Sequence, residues 1–170
     1  MRQLTSEYVV KLITHWDHKG NAFIQMQYCP YNLAQISKQL DATFNKPPTV
    51  LDIMLVKRVR RYIGCEMFIE LLRGLHYLHT RQPPYIHRDL KAKNILFDPN
   101  AGSSGIFCKL CDFGLAVRCW TDETGSTVVG PPGVGTRRSM APEAHDGRYK
   151  RCGDIYSLGL IGSKLMDIDC

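Results

Sequence analysis

Asp89, Lys91 and Asn94 stand within one short stretch, Tyr85-Ile-His-Arg-Asp-Leu-Lys-Ala-Lys-Asn-Ile-Leu-Phe97, and Asp112 follows it. A carboxylate in that setting orients a hydroxyl and accepts its proton, while a lysine two residues on places a cation near developing negative charge. Asn94 and Asp112 offer hard oxygen atoms of the kind Mg²⁺ takes, and Mg²⁺ completes its shell from phosphates and water rather than from many protein ligands. The chemistry such a set could serve is phosphoryl transfer, whose loose transition state asks mostly for positioning and charge neutralisation. A polar turn before a strand also accounts for His87-Arg88-Asp89, but it leaves Lys91, Asn94 and Asp112 unexplained together.

These residues need elements to hold them. Ile95-Leu-Phe97 and Ile106-Phe-Cys-Lys-Leu110 read as strands joined by the long turn Asp98–Gly105. Upstream, Met67, Phe68, Leu71, Leu72, Leu75 and Leu78 recur at helical spacing, so Glu66–Thr80 reads as a helix that ends before Pro83-Pro84. The basic run Lys57–Arg61 precedes it and reads as a solvated helix face, with a docking or nucleic-acid patch as the rarer use, and Val56, Val59 and Ile63 beside it suggest a helix that continues into the next segment. Asn32–Leu40 reads as a short helix broken by Asn45–Thr49. Tyr8–Trp16 and Ala22–Cys29 are β-branched and aromatic, and the turn between them makes a hairpin.

Composition narrows the classes. The 170 residues are 44% apolar, which supports one core, and no stretch of 18 apolar residues is present to span a membrane. The N-terminus lacks the apolar run of a signal peptide. The seven cysteines therefore read as free thiols of a reducing compartment, and the expected location is cytoplasmic. A net charge of +6 suits anionic ligands and leaves nucleic acid open, although nothing within the chain specifically indicates it. His76 and His79 form an H-x-x-H pair without further ligands, so satisfied helix histidines are favoured over zinc. Cys108 and Cys111 form a lone C-x-x-C with no second pair.

His87-Arg-Asp-Leu with Asn94, then Asp112-Phe-Gly, then Ala141-Pro-Glu143, in that order, resembles the signature of a protein kinase. The resemblance implies a partial α+β protein-kinase-like fold: residues 1–29 the end of the small lobe and the hinge, residues 30–170 a truncated large lobe. It implies ATP and Mg²⁺ as cofactors. Asp89, Lys91 and Asn94 are then catalytic, and Asn94 and Asp112 hold the metal. Met26 is the gatekeeper, Gln27, Tyr28 and Cys29 form the hinge that meets adenine, and Leu96 packs beneath the ring. Arg88 is placed to clamp a phosphate on the activation segment, for which Thr127 is the favoured bearer among Thr124, Ser126, Thr127 and Thr136. Thr136 is the hydroxyl that holds the catalytic loop, and Asp154 supports that loop from below.

Lys91 and Thr136 follow the serine/threonine pattern. Ala92 stands where proline is common and Ser139 where tyrosine is usual. No G-x-G-x-x-G stretch and no V-A-I-K lysine occur in the chain, so it reads as a fragment, inactive alone, with Leu158, Leu160, Ile161 and Leu165 expected to lack cover. A catalytically dead kinase-like binding protein is the competing reading. Phe23–Cys29, Thr14-His-Trp16 and Asp154–Ile161 are similar to kinases of the translation initiation factor 2 alpha subunit, which implies that subunit as protein substrate and a role in stress-responsive translation. The threonine common in that subfamily is replaced here by Pro131.

Overall fold

The computed structural model describes residues 4–44, 50–101, 105–119 and 128–168. The chain opens with an antiparallel hairpin, β1 (Leu12–His18) and β2 (Asn21–Met26). Lys19 and Gly20, at φ 50° and 77°, form the two-residue turn with both central residues left-handed, the geometry that matches strand twist. Trp16 lies opposite Phe23, and their rings stack with centroids 5.4 Å apart. The first strand starts later than Tyr8. Val9 instead bridges Leu110 in parallel, and the Val10 N–H donates to the Leu110 carbonyl at 3.0 Å. The second strand ends at Met26, although the Gln27 N–H still donates to the Lys11 carbonyl at 2.8 Å.

Helix α1 (Leu33–Phe44) follows the short strand β3 (Tyr31–Asn32). Its start is a reciprocal cap: Asn32 Oδ1 accepts the Gln35 N–H, and Gln35 Oε1 accepts the Asn32 N–H. Helix α2 (Val50–His79) runs 30 residues and merges the basic run with the apolar stripe. Met67, Leu71, Leu75 and Leu78 are buried, whereas Leu72 of the expected stripe faces outward. Lys57, Arg58 and Arg61 are exposed as a solvated face requires, but Arg60 is not. It is buried, bonds Asp41 of α1, and lies 3.4 Å from Asp167. A buried guanidinium is tolerated only when paired, and these two carboxylates supply the pairing.

Helix α3 (Arg151–Met166) crosses α2 closely. Gly64 permits this, because a Cβ there would collide with the Leu165 carbonyl oxygen. The expectation that Leu158, Ile161 and Leu165 lack cover is corrected: all three are buried in the core with Met67, Leu71 and Leu75, each contributing about 1.5–3 kcal/mol. Leu160 alone of that set is exposed.

Between the helices, strands β4 (Tyr85–Ile86), β5 (Ile95–Phe97) and β6 (Cys108–Leu110) frame the site. Strands β3, β5 and β6 form one antiparallel sheet, in which Leu96 lies between Asn32 and Lys109. β4 pairs with β7 (Val117–Arg118), and β8 (Val128–Val129) with β9 (Arg148–Tyr149). The architecture is the mixed helix-and-sheet arrangement that the motifs imply.

Candidate active site

The stretch between β4 and β5 is anchored from beneath. Asp154, in the first turn of α3 and nearly sealed from solvent, accepts the His87 N–H at Oδ2 (2.8 Å) and the Arg88 N–H at Oδ1 (3.0 Å). His79 Nε2 lies 2.8 Å from the same Oδ2, so the end of α2 joins this anchor. Asp154 does not cap its helix; Lys150 occupies that position. His87 is fully buried, with Nε2 3.0 Å from the Cys111 carbonyl and its ring 5.0 Å from Phe113. Loop and Asp112 segment are thereby tied through one imidazole.

Asp89 sits in a cage of donors. Its Oδ1 accepts the Thr136 N–H (2.9 Å) and hydroxyl (2.7 Å). Its Oδ2 accepts Lys91 Nζ (2.6 Å) and Asn94 Nδ2 (3.0 Å). Lys91 also donates to the Thr136 hydroxyl at 2.9 Å. Burial pushes the Asp89 carboxyl up, but the hydrogen bonds from Lys91, Thr136 and Asn94 outweigh it, and the group is held below the ordinary carboxylate range. Gly135 makes the cage possible: at φ 118° it passes so close to Arg88 that a Cβ would collide with the Arg88 carbonyl.

A carboxyl depressed in the folded state stabilises the fold above its unfolded value and loses that contribution as protons bind it. The window therefore opens near pH 4, the ordinary aspartate value, and extends downward. Thermal melting followed from pH 6 to pH 2.5 is expected to show a fall in midpoint that is shallower in Asp89→Asn. Parallel profiles for the two proteins would count against the cage.

Asn94 is buried, and its amide nitrogen is committed to the Asp89 carbonyl and carboxylate. Its Oδ1 makes no hydrogen bond among the described residues and is a hard oxygen. Asp112 is exposed and left-handed at φ 60°, and Gly114 leaves its carboxylate room, since a Cβ there would lie 3.3 Å from Asp112 Oδ1. One amide oxygen and one carboxylate fit a Mg²⁺ that is otherwise ligated by phosphates and water. Among the described residues no cluster of three His, Cys, Asp or Glu groups competes for a metal.

The residues expected to form the hinge lie at the end of β2 and just beyond it. Met26 is half-exposed at the end of β2, and Tyr28 is 83% exposed. Gln27 turns its side chain to Asp98, Nε2 donating to Oδ2 at 2.7 Å. Burial, together with Asp98, pushes the Cys29 thiol up against the opposing pull of Lys109. Burial likewise raises Cys108 and Cys111, the latter to about 11, so the C-x-x-C pair stays as neutral thiols. A cleft of about 720 Å³ lies between Leu4–Glu7 and the hairpin, and none of the catalytic-loop residues lines it. Hydrogen-bond geometry at Asp89, not cavity size, locates the site.

Arg88 is occupied rather than free. Its Nε donates to the Leu115 carbonyl at 2.6 Å, and its guanidinium lies 4.9 Å from the centre of the Tyr149 ring. Thr127 and its neighbours Thr124 and Ser126 lie outside the described residues. Sequence reasoning did not single out His79 as the partner of Asp154, nor Tyr149, whose hydroxyl accepts the Val134 N–H and donates to the Pro131 carbonyl. Neither contact leaves a local pattern.

A catalytic loop, a metal-suited oxygen pair and a returning Thr136 define a kinase-type site. The chain matches the family described as protein kinase domain over residues 1–168 and belongs to it. It is 31% identical over 160 residues to the serine/threonine-protein kinase WNK8 of Arabidopsis thaliana, covering 94% of this chain and 24% of that protein. It is 42% identical over 91 residues to the probable serine/threonine-protein kinase WNK10 of the same plant, covering 54% and 16%. It is 35% identical over 99 residues to the receptor-interacting serine/threonine-protein kinase 3 of Rattus norvegicus, covering 57% and 20%. The chain thus spans about a quarter or less of these relatives. All three are named as serine/threonine kinases, and none carries the initiation-factor name, so these relatives lend that subfamily no support. No described helix is long and apolar enough to cross a membrane.

Proposed function

We propose that this chain is the catalytic part of an ATP-dependent serine/threonine protein kinase, with residues 1–29 contributing the hinge side and residues 30–170 the large-lobe side of the site. The observation that carries the reading is the Asp89 cage: a depressed carboxylate bonded to Lys91, Thr136 and Asn94. Asp89 receives and orients the acceptor hydroxyl, displacing the Thr136 hydroxyl from Oδ1. Lys91 holds positive charge beside it. Asn94 and Asp112 would hold Mg²⁺, and Gln27–Cys29 with Leu96 would meet the adenine. Bound Mg·ATP supplies the phosphoryl group and the metal's charge; the residues supply position. Arg88 and Thr136, with Thr127, are the proposed regulatory set, and the compartment is proposed as cytoplasmic.

The initiation factor 2 alpha subunit is one substrate reading, supported only by the hairpin and α3 sequence likenesses. The serine/threonine class shared by the relatives favours the broader one.

A titration of the 170-residue chain with ADP, with and without Mg²⁺, tests the reading. Binding is expected to strengthen with Mg²⁺, and Asp112→Ala is expected to remove that gain while leaving the metal-free affinity within about threefold. Binding indifferent to both Mg²⁺ and Asp112 would overturn it.

A further inference from the structure

The polypeptide that follows Thr136 carries a pair of cations whose position is fixed. Thr136 touches Asp89 through both its N–H and its hydroxyl. Arg137 and Arg138 come next, in the 3-10 turn Arg137–Ser139. The turn is closed by the Ser139 N–H on the Thr136 carbonyl at 3.0 Å, and Ser157 Oγ of α3 donates to the Ser139 carbonyl. The backbone bearing the two arginines is therefore held between the Asp89 cage and α3. Both arginines are exposed, and among the described residues neither guanidinium has a hydrogen bond or ion pair.

The surroundings share the sign. Lys93 on the catalytic loop and Arg148 and Lys150 beyond the 3-10 turn Pro142–Asp146 are exposed cations. The acidic groups nearby in the chain are Glu143, half-buried and accepting the Cys152 thiol, and the exposed Asp146. Two unpaired guanidiniums on a fixed turn present forked donors suited to carboxylate or phosphate oxygens.

We infer that Arg137 and Arg138 select acceptor segments whose serine or threonine is flanked by anionic side chains. The inference rests on the phosphotransfer reading, because only that reading brings an acceptor hydroxyl to Asp89. A segment that does so lays one flank over the turn after Thr136. Aspartate, glutamate or a phosphorylated residue on that flank meets the arginines, and lysine or arginine there is repelled. Specificity then comes as much from rejecting basic segments as from attracting acidic ones.

Fluorescence anisotropy of labelled serine peptides against the purified 170-residue chain tests this. The peptides carry three aspartates, three serines or three lysines on the N-terminal flank or on the C-terminal flank of the central serine. At low ionic strength the acidic series on one flank is expected to bind about three- to tenfold tighter than the neutral one, and the basic series weaker, since exposed pairs contribute modestly. The preference should fade in 0.5 M salt, about where screening reaches a few ångströms. Arg137→Glu/Arg138→Glu is expected to reverse the order, and Arg137→Gln/Arg138→Gln to flatten it. Lys57→Glu/Arg58→Glu, on the exposed face of α2, should leave it within twofold. Equal affinities across the series, an order unchanged in the Arg137/Arg138 variants, or equal loss in the α2 variant would overturn the inference. The Mg²⁺-dependent ADP titration reads out separately, so failure of the peptide preference and failure of the kinase reading are distinguishable.

Discussion

Asp154→Ala is expected to lower the stability of the fold by about 3–5 kcal/mol, read as a shift in the denaturant midpoint. Asp154 is nearly sealed, and its two oxygens satisfy the His87 and Arg88 N–H groups and face His79 Nε2. Truncation orphans two backbone donors, that of His87 buried and that of Arg88 partly buried, and an orphaned buried donor costs more than a hydrogen bond gains. Arg88 is already at φ 67°, a conformation that survives only when its surroundings impose it. Against a whole-domain stability of about 5–15 kcal/mol, the loss removes a large part of the margin. Asp154→Asn keeps one acceptor and should cost less than the alanine variant. Midpoints equal to that of the unaltered chain for both variants would show that the loop supports itself.

The residues of the candidate site were legible because the proposed chemistry constrains type and spacing over a short stretch. In the proposed roles Asp89, Lys91 and Asn94 are a base, a cation and a hard ligand that other residue types would not replace, and the structure brings all three into contact. The residues that support them were largely not legible. His79 and Asp154 are 75 positions apart, and nothing local in either helix announces the other. The burial of Arg60 was hidden in the same way: a basic run suggests solvent, and only Asp41 and Asp167, outside that run, make a buried Arg60 tolerable. Val9 and Val10 had strand propensity and do extend, but toward Leu110 rather than within the hairpin, a choice made by a partner about a hundred residues on. The α1 start, by contrast, was readable in principle, since Asn32 and Gln35 stand at the spacing of a reciprocal cap. Local signals located elements; long-range contacts decided where they end and which side chains they bury.

Phosphate transfer by the 170-residue chain alone is expected at background, and Asp89 should prove decisive once the phosphates are gripped. No G-x-G-x-x-G stretch and no V-A-I-K lysine occur within these residues, so nothing in them covers or anchors the β- and γ-phosphates. Positioning is most of what this chemistry needs, and a nucleotide held only from the hinge and the metal side is not held in line. In a longer form of the protein carrying those elements, Asp89→Ala is expected to lower turnover by about 10²–10⁴-fold, the usual range for a lost general base, while nucleotide affinity changes by less than about threefold. Asp89→Asn should fall in the same range. Whichever oxygen becomes an amide NH₂ then confronts donors, either Thr136 or Lys91 and Asn94. Single-turnover kinetics with radiolabelled ATP and a calorimetric nucleotide titration separate the two quantities. Losses of equal size in turnover and in nucleotide binding would move Asp89 from base to scaffold. Robust transfer by the 170-residue chain, abolished by Asp89→Asn, would instead show that the catalytic loop and metal ligands suffice without a phosphate-gripping loop.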